Sequence, residues 1–403
     1  MIARRSVLFG LMLAGPAAAL ARGSAAPPDI AAIERARVVP RALALLDAAP
    51  RTIAAIAAPR SPAGRQDYYS EGDYWWPDPM SPGGPYVRRD GQSNPDKFDG
   101  HRDALIAFGR AVPMLAAAWR LTGDARFAAT AMRHLEAWFV DPATRMTPNL
   151  NHAQAIIGVN DGRAIGVIDT LQIVEVARAA QLFGARDAPG YATIRPGVEG
   201  WFADYLAWLT TSPFGIEERD EKNNHGSCWL LQVACLAALL GRADVLDAAR
   251  TRLQAVLIPT QIEPDGRQPF ELARTKPFAY SLFNLDVLAA SAWLLGEGEG
   301  EGDLIGWRTA DGRSIAGAID WMAPYVANKA AWPLAHDIEY WDGFPVRQPS
   351  LLFGGLARRR DDWLALWQRL DADPVVAEVV RNFPVRQPML WLPDAITGPL
   401  SAH

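Results

Sequence analysis

The sequence predicts an all-α fold, an (α/α) toroid or incomplete barrel of antiparallel helix hairpins with long active-site loops. Apolar residues, above all Ala, Leu and Trp, recur at helical spacing along most of the chain. Successive helical stretches are joined by short turns, which is typical of helices packed as antiparallel hairpins. We find no sustained β-alternation, no βαβ rhythm and no repeat of fixed period, so a TPR-like solenoid is less favoured.

Five hairpins are predicted in chain order, each from two apolar-periodic stretches separated by a turn. We expect Pro113 to kink or offset the first helix, because proline removes a backbone donor. The pairs are 102–123 with 125–142, 162–184 with 195–213, 225–241 with 242–259, 278–296 with 314–328, and a final pair within 350–382.

The first 25 residues have the pattern of a removed secretory signal. A charged start with Arg4 and Arg5 precedes an apolar run and small residues, which resembles a twin-arginine signal. The apolar run is too short and interrupted for a confident membrane span, and no other stretch resembles one. We therefore expect residues 26–403 to form a single soluble domain that is periplasmic or secreted.

The composition argues against several classes of function. The chain has 403 residues, 50% of them hydrophobic, and a net charge of −5, which argues against a nucleic-acid partner. Cys228 and Cys235 are expected to be buried as small hydrophobic residues. The six histidines form no HExxH pattern, and no CxxC pair, P-loop or dinucleotide fingerprint is present. We expect neither a metal nor an organic cofactor.

Three long loops, 61–101, 142–162 and 260–277, are the predicted location of the site, because long irregular segments in a compact domain are usually functional. The first loop is rich in aromatic rings, which suit the C–H faces of sugars. Packing of the rings onto the barrel is the alternative reading. Its candidate substrate-binding residues are Tyr74, Trp75, Trp76, Arg88 and Arg89.

The other loops carry polar groups that could line the same cleft. The second loop supplies Asn151, His152 and Arg163. The third leads from Arg274 to Tyr280, six residues later; a fixed cation favours the phenolate and would let a tyrosine act as a base near neutral pH.

An Asn-Asn-His run opens one predicted apolar helix. Asn223, Asn224 and His225 precede the stretch 226–241. One interpretation is that an asparagine caps the helix and that the hydrogen bonds of the histidine are made within the fold. The other is an anion site, because the free N–H groups and dipole of a helix N-terminus favour negative charge.

Four motifs in order, DYWWPDP with YVRRDGQSNPD, GVNDGRAIGVIDT, NNHGSCW and GRQPFELARTKPFAY, resemble the alginate-lyase superfamily of polysaccharide lyases over about residues 65–345. Members have (α/α) toroid folds and cleave uronic-acid polymers by β-elimination. The resemblance maps the family's catalytic residues onto Asn224, His225, Arg274 and Tyr280. In the mannuronate-specific enzymes of family 5 the catalytic arginine and tyrosine are seven residues apart. Arg274 and Tyr280 are six residues apart, which favours the family 38 type.

The resemblance implies that Asn224, His225 and Arg274 neutralise a substrate carboxylate while Tyr280 acts as base and acid. In β-mannuronate and β-glucuronate the C5 proton and O4 share a face, so one tyrosine can serve both steps. Guluronate would need a separate base, His225 or His152. Asn223 and Tyr340 complete the substrate-binding candidates, and the implied partner is an anionic uronic-acid polysaccharide, alginate or glucuronan.

Two other functions are compatible with the same architecture. A glycoside hydrolase would need two opposed carboxylates, for which Asp73, Asp78, Glu271 and Glu339 are available. A periplasmic polysaccharide-binding protein would hold polymer on Trp75 and Trp76 without turnover.

Overall fold

The structure is a computed structural model that describes residues 28–296 and 302–398. The predicted signal segment, residues 1–25, lies outside the described residues. The helices in chain order are α1 (Ile30–Leu43), α2 (Gly100–Thr122), α3 (Ala125–Phe139), α4 (Val174–Ala185), α5 (Tyr191–Thr211), α6 (Pro213–Asp220), α7 (Asn224–Leu240), α8 (Ala243–Arg252), α9 (Ile258–Gln261), α10 (Pro269–Leu272), α11 (Pro277–Leu295), α12 (Ile315–Ala327), α13 (Pro349–Arg358), α14 (Asp361–Arg369), α15 (Ala377–Arg381) and α16 (Asp394–Thr397).

The long helices form two concentric layers. In the inner layer α2 packs on α4, α4 on α7, α7 on α11 and α11 on α13. Each inner helix is followed by an outer helix packed against it, namely α3, α5, α8, α12 and α14. The buried hydrophobic residues form one cluster that extends from Ile30 to Leu392. The predicted (α/α) toroid of helix hairpins is confirmed.

The layers explain the sequence pattern. Inner helix α7 is covered on all sides and buries nearly every residue from Asn224 to Leu239, whereas outer helix α8 buries only Ala249. Gly123 and Gly241 end α2 and α7 in the left-handed region (φ 75° and 66°), where glycine avoids the steric cost of a Cβ atom. Short turns therefore return the chain to the outer layer.

Some boundaries differ from the prediction. The apolar run from Ala164 to Ile173 is a 3₁₀-helix, and the α-helix begins only at Val174. Helix α2 continues through Pro113 without interruption. Helices α1 and α6 were not predicted. The short helix α6 has weak apolar periodicity, whereas α1 has apolar residues at helical spacing that the sequence analysis left unassigned. Cys228 and Cys235 are free and buried, as expected.

The long loops carry the short strands. In the first loop β1 (Tyr69–Glu71) pairs in parallel with β4 (His152–Ala155) of the second loop. Next to it, β2 (Trp75–Trp76) and β3 (Val87–Arg88) form an antiparallel ribbon. The first two loops are thus fastened to each other over the same region of the barrel.

By length and composition, two of the described helices could cross a membrane, although no such stretch was predicted from the sequence. These are α2 and α11, and 78% and 83% of their apolar windows are buried inside the fold. Burial of this extent is what core helices of a two-layered fold require.

Candidate active site

A cavity of about 370 Å³ lies where the loops meet the inner helices. It brings together residues from all three predicted loops and from the N-terminus of α7. The predicted site residues among its lining are Tyr74, Trp75, Arg88, Arg163, Asn223, Asn224, His225, Arg274 and Tyr280. We call Asn223, Asn224, His225 and Tyr280 the helical wall, and Tyr74, Trp75 and Arg88 the loop wall.

The three polar residues that open α7 have three separate partners. Asn223 is the N-cap, and its side chain accepts a hydrogen bond from the backbone N–H of His225 (3.1 Å). The backbone N–H of Asn224 donates to Glu271 Oε1 (2.7 Å) and that of Gly226 to the Asn223 carbonyl (3.1 Å). The N–H groups of Asn224, His225 and Gly226 are therefore used within the protein, so the anion site, one of the two interpretations of this run, cannot rest on them.

Asn224 is held by a buried carboxylate. Its side-chain amide donates to Glu271 Oε2 (2.8 Å), and Glu271 is only 1% exposed. This fixes the amide plane and leaves one N–H and the carbonyl oxygen of the side chain for a ligand in the cavity. Glu271, named above as a candidate hydrolase acid, thus orients Asn224.

His225 is held in the same way by a second buried carboxylate. Its Nδ1 lies 2.8 Å from Oε1 of Glu218, a fully buried residue of α6. Burial alone would lower the pKa of His225, but the charge and hydrogen bond of Glu218 and the charge of Glu221 together outweigh it and raise that pKa above its ordinary value. Nε2 is the ring nitrogen left for a ligand.

A glycine makes this approach possible. A Cβ atom on Gly226 would lie 2.3 Å from the backbone oxygen of Glu221. Only glycine therefore lets α7 begin so close to the end of α6. That tight connection brings Glu218 beneath His225, seven residues later.

Tyr280 is the meeting point of the two walls. Its hydroxyl is 2.6 Å from the hydroxyl of Tyr74 and 3.4 Å from a guanidinium nitrogen of Arg274. The Arg274 guanidinium also lies over the Tyr280 ring, 4.3 Å from its centre. Arg274 is 3.7 Å from Asp90, so it links the third loop to the first.

The expected phenolate near neutral pH is not what the free site favours. Burial raises the pKa of Tyr280, and the opposing effects of Arg274 and of the hydrogen bond with Tyr74 offset it only in part. Burial and the neighbouring Tyr280 raise the pKa of Tyr74 much further. Either hydroxyl can donate the hydrogen bond that Tyr74 and Tyr280 share.

The loop side of the cavity combines rings with cations. Arg163 donates to the backbone oxygen of Gln154 (2.8 Å) and lies 5.9 Å from the centre of the Trp75 ring. Burial lowers the pKa of Arg163 to about 10, which leaves it charged at neutral pH. Arg88 is largely exposed and pairs with Asp90 (2.6 Å).

Five predicted binding residues do not line the cavity. Asn151 accepts from the indole of Trp208, His152 contacts the Asp161 carbonyl, and Tyr340 covers Lys276 with its ring 4.8 Å away. The indole of Trp76 donates to Gln92, and Arg89 lies over that ring. These contacts lie outside the cavity lining, and the prediction that these residues bind substrate stays a prediction. They are Trp76, Arg89, Asn151, His152 and Tyr340.

The cavity also contains residues that sequence reasoning missed. Charged and amide groups come from the loop before Tyr74, from α2, from the 3₁₀-helix and from the C-terminal part of the chain. Asp73 and Asp169 lie in the DYWWPDP and GVNDGRAIGVIDT motifs, but Asp73 was considered only as a hydrolase carboxylate and Asp169 was given no role. The other residues carry no local signal, because they lie far apart in sequence. These additional lining residues include Asp73, Arg102, Gln154, Asp169, Gln172, Glu221, Arg381 and Asn382.

The carboxylates proposed for a hydrolase are not arranged as an acid and base. Arg102 and Arg381 bind Asp73, and although burial opposes ionisation they hold the pKa of Asp73 well below its ordinary value. Asp78 and Glu339 are not among the cavity-lining residues, and Glu339 pairs with Lys276. Among the described residues no cluster of His, Cys, Asp and Glu could hold a metal ion.

Comparisons with known proteins identify the family of the chain. The model of the alginate lyase family matches residues 54–332. An alginate lyase from Bacteroides ovatus is 30% identical, with a TM-score of 0.75 over 89% of this chain and 93% of that one.

More distant structures are also similar. Alginate lyase A1-III from Sphingomonas species A1 is 14% identical, with a TM-score of 0.47 over 81% of this chain and 88% of its own. A variant of alginate lyase A1-III complexed with a tetrasaccharide is 15% identical, with a TM-score of 0.49 over 80% and 84%. No curated protein matches the chain. From the family match and the Bacteroides structure, the chain belongs to the alginate lyase family and is a polysaccharide lyase.

Proposed function

We propose that this polysaccharide lyase cleaves 1,4-linked uronic-acid polymers by β-elimination, with mannuronate-rich alginate or glucuronan as substrate. The observation that carries the proposal is one cavity in which the hydroxyl of Tyr280 is within hydrogen-bond distance of Tyr74 and beside Arg274, with His225 and Asn224 in the same lining. The similarity to the Bacteroides alginate lyase supports alginate among the candidates.

The chemistry explains why neutral and cationic donors are needed. β-Elimination removes the C5 proton beside a carboxylate, and an ionised carboxylate makes that proton only weakly acidic. Charge builds up on the carboxylate as the proton leaves. A charged His225 imidazole, the free N–H of Asn224 and the Arg274 guanidinium would stabilise it, and such preorganised donors contribute about 3–4 kcal/mol each in other enzymes.

Tyr280 would carry the proton. Its phenolate oxygen takes the C5 proton, the electrons of the broken C–H bond form the C4=C5 double bond, and the C4–O4 bond breaks. The departing O4 then takes a proton from Tyr280 and leaves as a hydroxyl. Arg274 and the Tyr74 hydroxyl stabilise the phenolate that the first step requires.

Discrimination between substrates would depend on the loop wall and on Arg163, which lines the same cavity. Mannuronate and glucuronate differ only at C2, away from the broken bond, so the catalytic set cannot distinguish them. Trp75 offers an apolar face to a sugar ring, while Arg88 and Arg163 offer charge to neighbouring carboxylates.

A substrate panel tests the proposal. The purified chain is incubated with poly-mannuronate, poly-guluronate, glucuronan and hyaluronan, and the ultraviolet absorbance of the new C4=C5 double bond is followed together with reducing ends. We expect absorbance and reducing ends to rise together on poly-mannuronate or glucuronan. Reducing ends without absorbance would indicate a hydrolase, and binding without either would indicate a non-catalytic polysaccharide-binding protein.

We propose a periplasmic or secreted location, because residues 1–25 have the pattern of a twin-arginine signal. Fractionation of cells that express the full chain, with sequencing of the mature N-terminus, tests this. A chain that stays in the cytoplasm with its N-terminus uncut would contradict the proposal.

A further inference from the structure

The turn that carries Tyr74 has an unusual anchor. Asp73 and Tyr74 occupy the centre of a tight turn closed by a hydrogen bond from the N–H of Trp75 to the carbonyl of Gly72 (3.3 Å). The N–H of Gly72 donates to Ala155 of β4 (3.0 Å), and the carbonyl of Tyr74 accepts from Arg89 (2.7 Å). The backbone bonds fasten this turn only to other loop segments.

The side chain of Asp73 ties the turn to the helices. Its Oδ1 accepts from Arg102 of α2 (2.7 Å), and its Oδ2 accepts from Arg381 of α15 (2.5 Å). Lys97 lies 3.8 Å away. Asp73 is only 6% exposed, so these charges interact with little screening by water.

We propose that Asp73 is a positioning residue for the elimination reaction: clamped between Arg102 and Arg381, it fixes the turn that holds the Tyr74 hydroxyl against Tyr280. The inference rests on the proposed function, in which Tyr280 carries the proton. It extends that function to a residue that touches neither the Tyr280 hydroxyl nor the helical wall in the described structure.

The arrangement favours this role over a merely stabilising one. Asp73 is the immediate neighbour of Tyr74 in the turn, so a shift of its backbone moves the Tyr74 ring directly. Without the Asp73 carboxylate, less negative charge would separate the guanidinium groups of Arg102 and Arg381. Their mutual repulsion would then move the turn away from α15. The C-terminal segment, which lies beyond the family match at 54–332, would then lose its link to the loop wall.

Asp73→Asn tests the proposal, with Asp99→Asn as the matched control. Asp99 also binds Arg102 (2.9 Å) and Lys97 (2.8 Å), but it is 31% exposed and is not part of the turn. We expect D73N to lower kcat by about 100-fold, as a misplacement of about 1 Å can do, with KM changed much less. D99N should stay within about threefold of the wild type, as expected for a partly exposed ion pair.

A double-mutant cycle shows whether Asp73 acts through Tyr74. In a Tyr74→Phe background the hydroxyl that Asp73 is proposed to position is gone, so adding D73N should cost at most about threefold more in kcat. Independent, multiplicative losses would overturn the proposal and indicate a general structural role. Melting temperatures and circular dichroism confirm that each variant is folded.

A crystal structure separates this inference from the proposed function. In D73N we expect the Tyr74 and Tyr280 hydroxyls to lie beyond hydrogen-bond distance; an unchanged 2.6 Å contact would overturn the inference whatever the enzyme's substrate proves to be. Failure of the wild type on every uronate polymer would count against the proposed function alone.

A second variant, Asp73→Glu, keeps the test possible if D73N does not fold, because glutamate retains the charge and adds one methylene. The same displacement and a kcat about tenfold lower are expected, and unchanged kcat would overturn the proposal.

Discussion

The two walls of the cavity are held in different ways. In the helical wall, Asn224 and His225 each sit on an inner helix and are fixed by a fully or almost fully buried carboxylate, Glu271 or Glu218. In the loop wall, Trp75 and Arg88 sit on a two-stranded ribbon whose fastening is mainly backbone hydrogen bonds between loop segments.

The difference indicates a division of labour. Groups that must meet developing charge gain most from being oriented before substrate arrives, and buried hydrogen-bonded carboxylates supply that orientation. Groups that hold a long polymer need area and charge more than fixed geometry. We therefore expect changes in the helical wall to act on kcat and changes in the loop wall to act on KM. Tyr74 crosses this division, since it belongs to the loop wall and bonds to Tyr280.

The largest effect is expected from Tyr280→Phe, which removes one oxygen and little volume. If Tyr280 is both base and acid, kcat on poly-mannuronate or glucuronan should fall by about 10³-fold or more. Bound polymer should still be detectable by calorimetry, because Asn224, His225 and Arg274 remain. Near-wild-type turnover in a folded variant would show that another group, such as Tyr74, carries the proton.

The next largest effect is expected from His225→Ala. Loss of one preorganised donor to the carboxylate should lower kcat by about 10²–10³-fold. The variant should be assayed on mannuronate and guluronate blocks at fixed pH. Equal losses on both fit a carboxylate clamp, whereas selective loss on guluronate would show that His225 is the base for that sugar.

A smaller, pH-dependent effect is expected from Glu218→Gln. Glu218 raises the pKa of His225, so its neutral replacement should lower that pKa and reduce the charged fraction of His225 as pH rises. The alkaline limb that reports His225 in the pH profile of kcat/KM should then move to lower pH, with little loss at acidic pH. A profile that does not move would mean that the charge on His225 is not needed.

The same contrast explains what the sequence could predict. The hairpins follow from apolar periodicity, and Asn224, His225, Arg274 and Tyr280 were found because they lie in short motifs. Glu218 was missed because its contact with His225 depends on the tight α6–α7 connection. Arg381 was missed because 308 residues separate it from Asp73, and no local pattern reports so distant a contact.

Which loop residues face the cavity could not be predicted from the sequence for a related reason. Aromatic and basic residues in a loop favour sugar binding by type alone, but the direction of each side chain is set by β2 and β3. Trp75 and Trp76 are neighbours on one strand, so they point to opposite faces of the ribbon, and only Trp75 lines the cavity.

That pair gives the last prediction and the finest test of the division between the walls. Trp75→Ala should raise KM for long polymer by about fivefold and leave kcat within about twofold, because stacking contacts made equally in ground and transition states affect binding alone. Trp76→Ala, the matched control, should change KM by less than about twofold, since its indole is bonded to Gln92 and covered by Arg89. Steady-state kinetics on polymers of defined length measure both. A fall in kcat for folded W75A at saturating substrate would show that this ring also helps to place Tyr74, its neighbour in the chain.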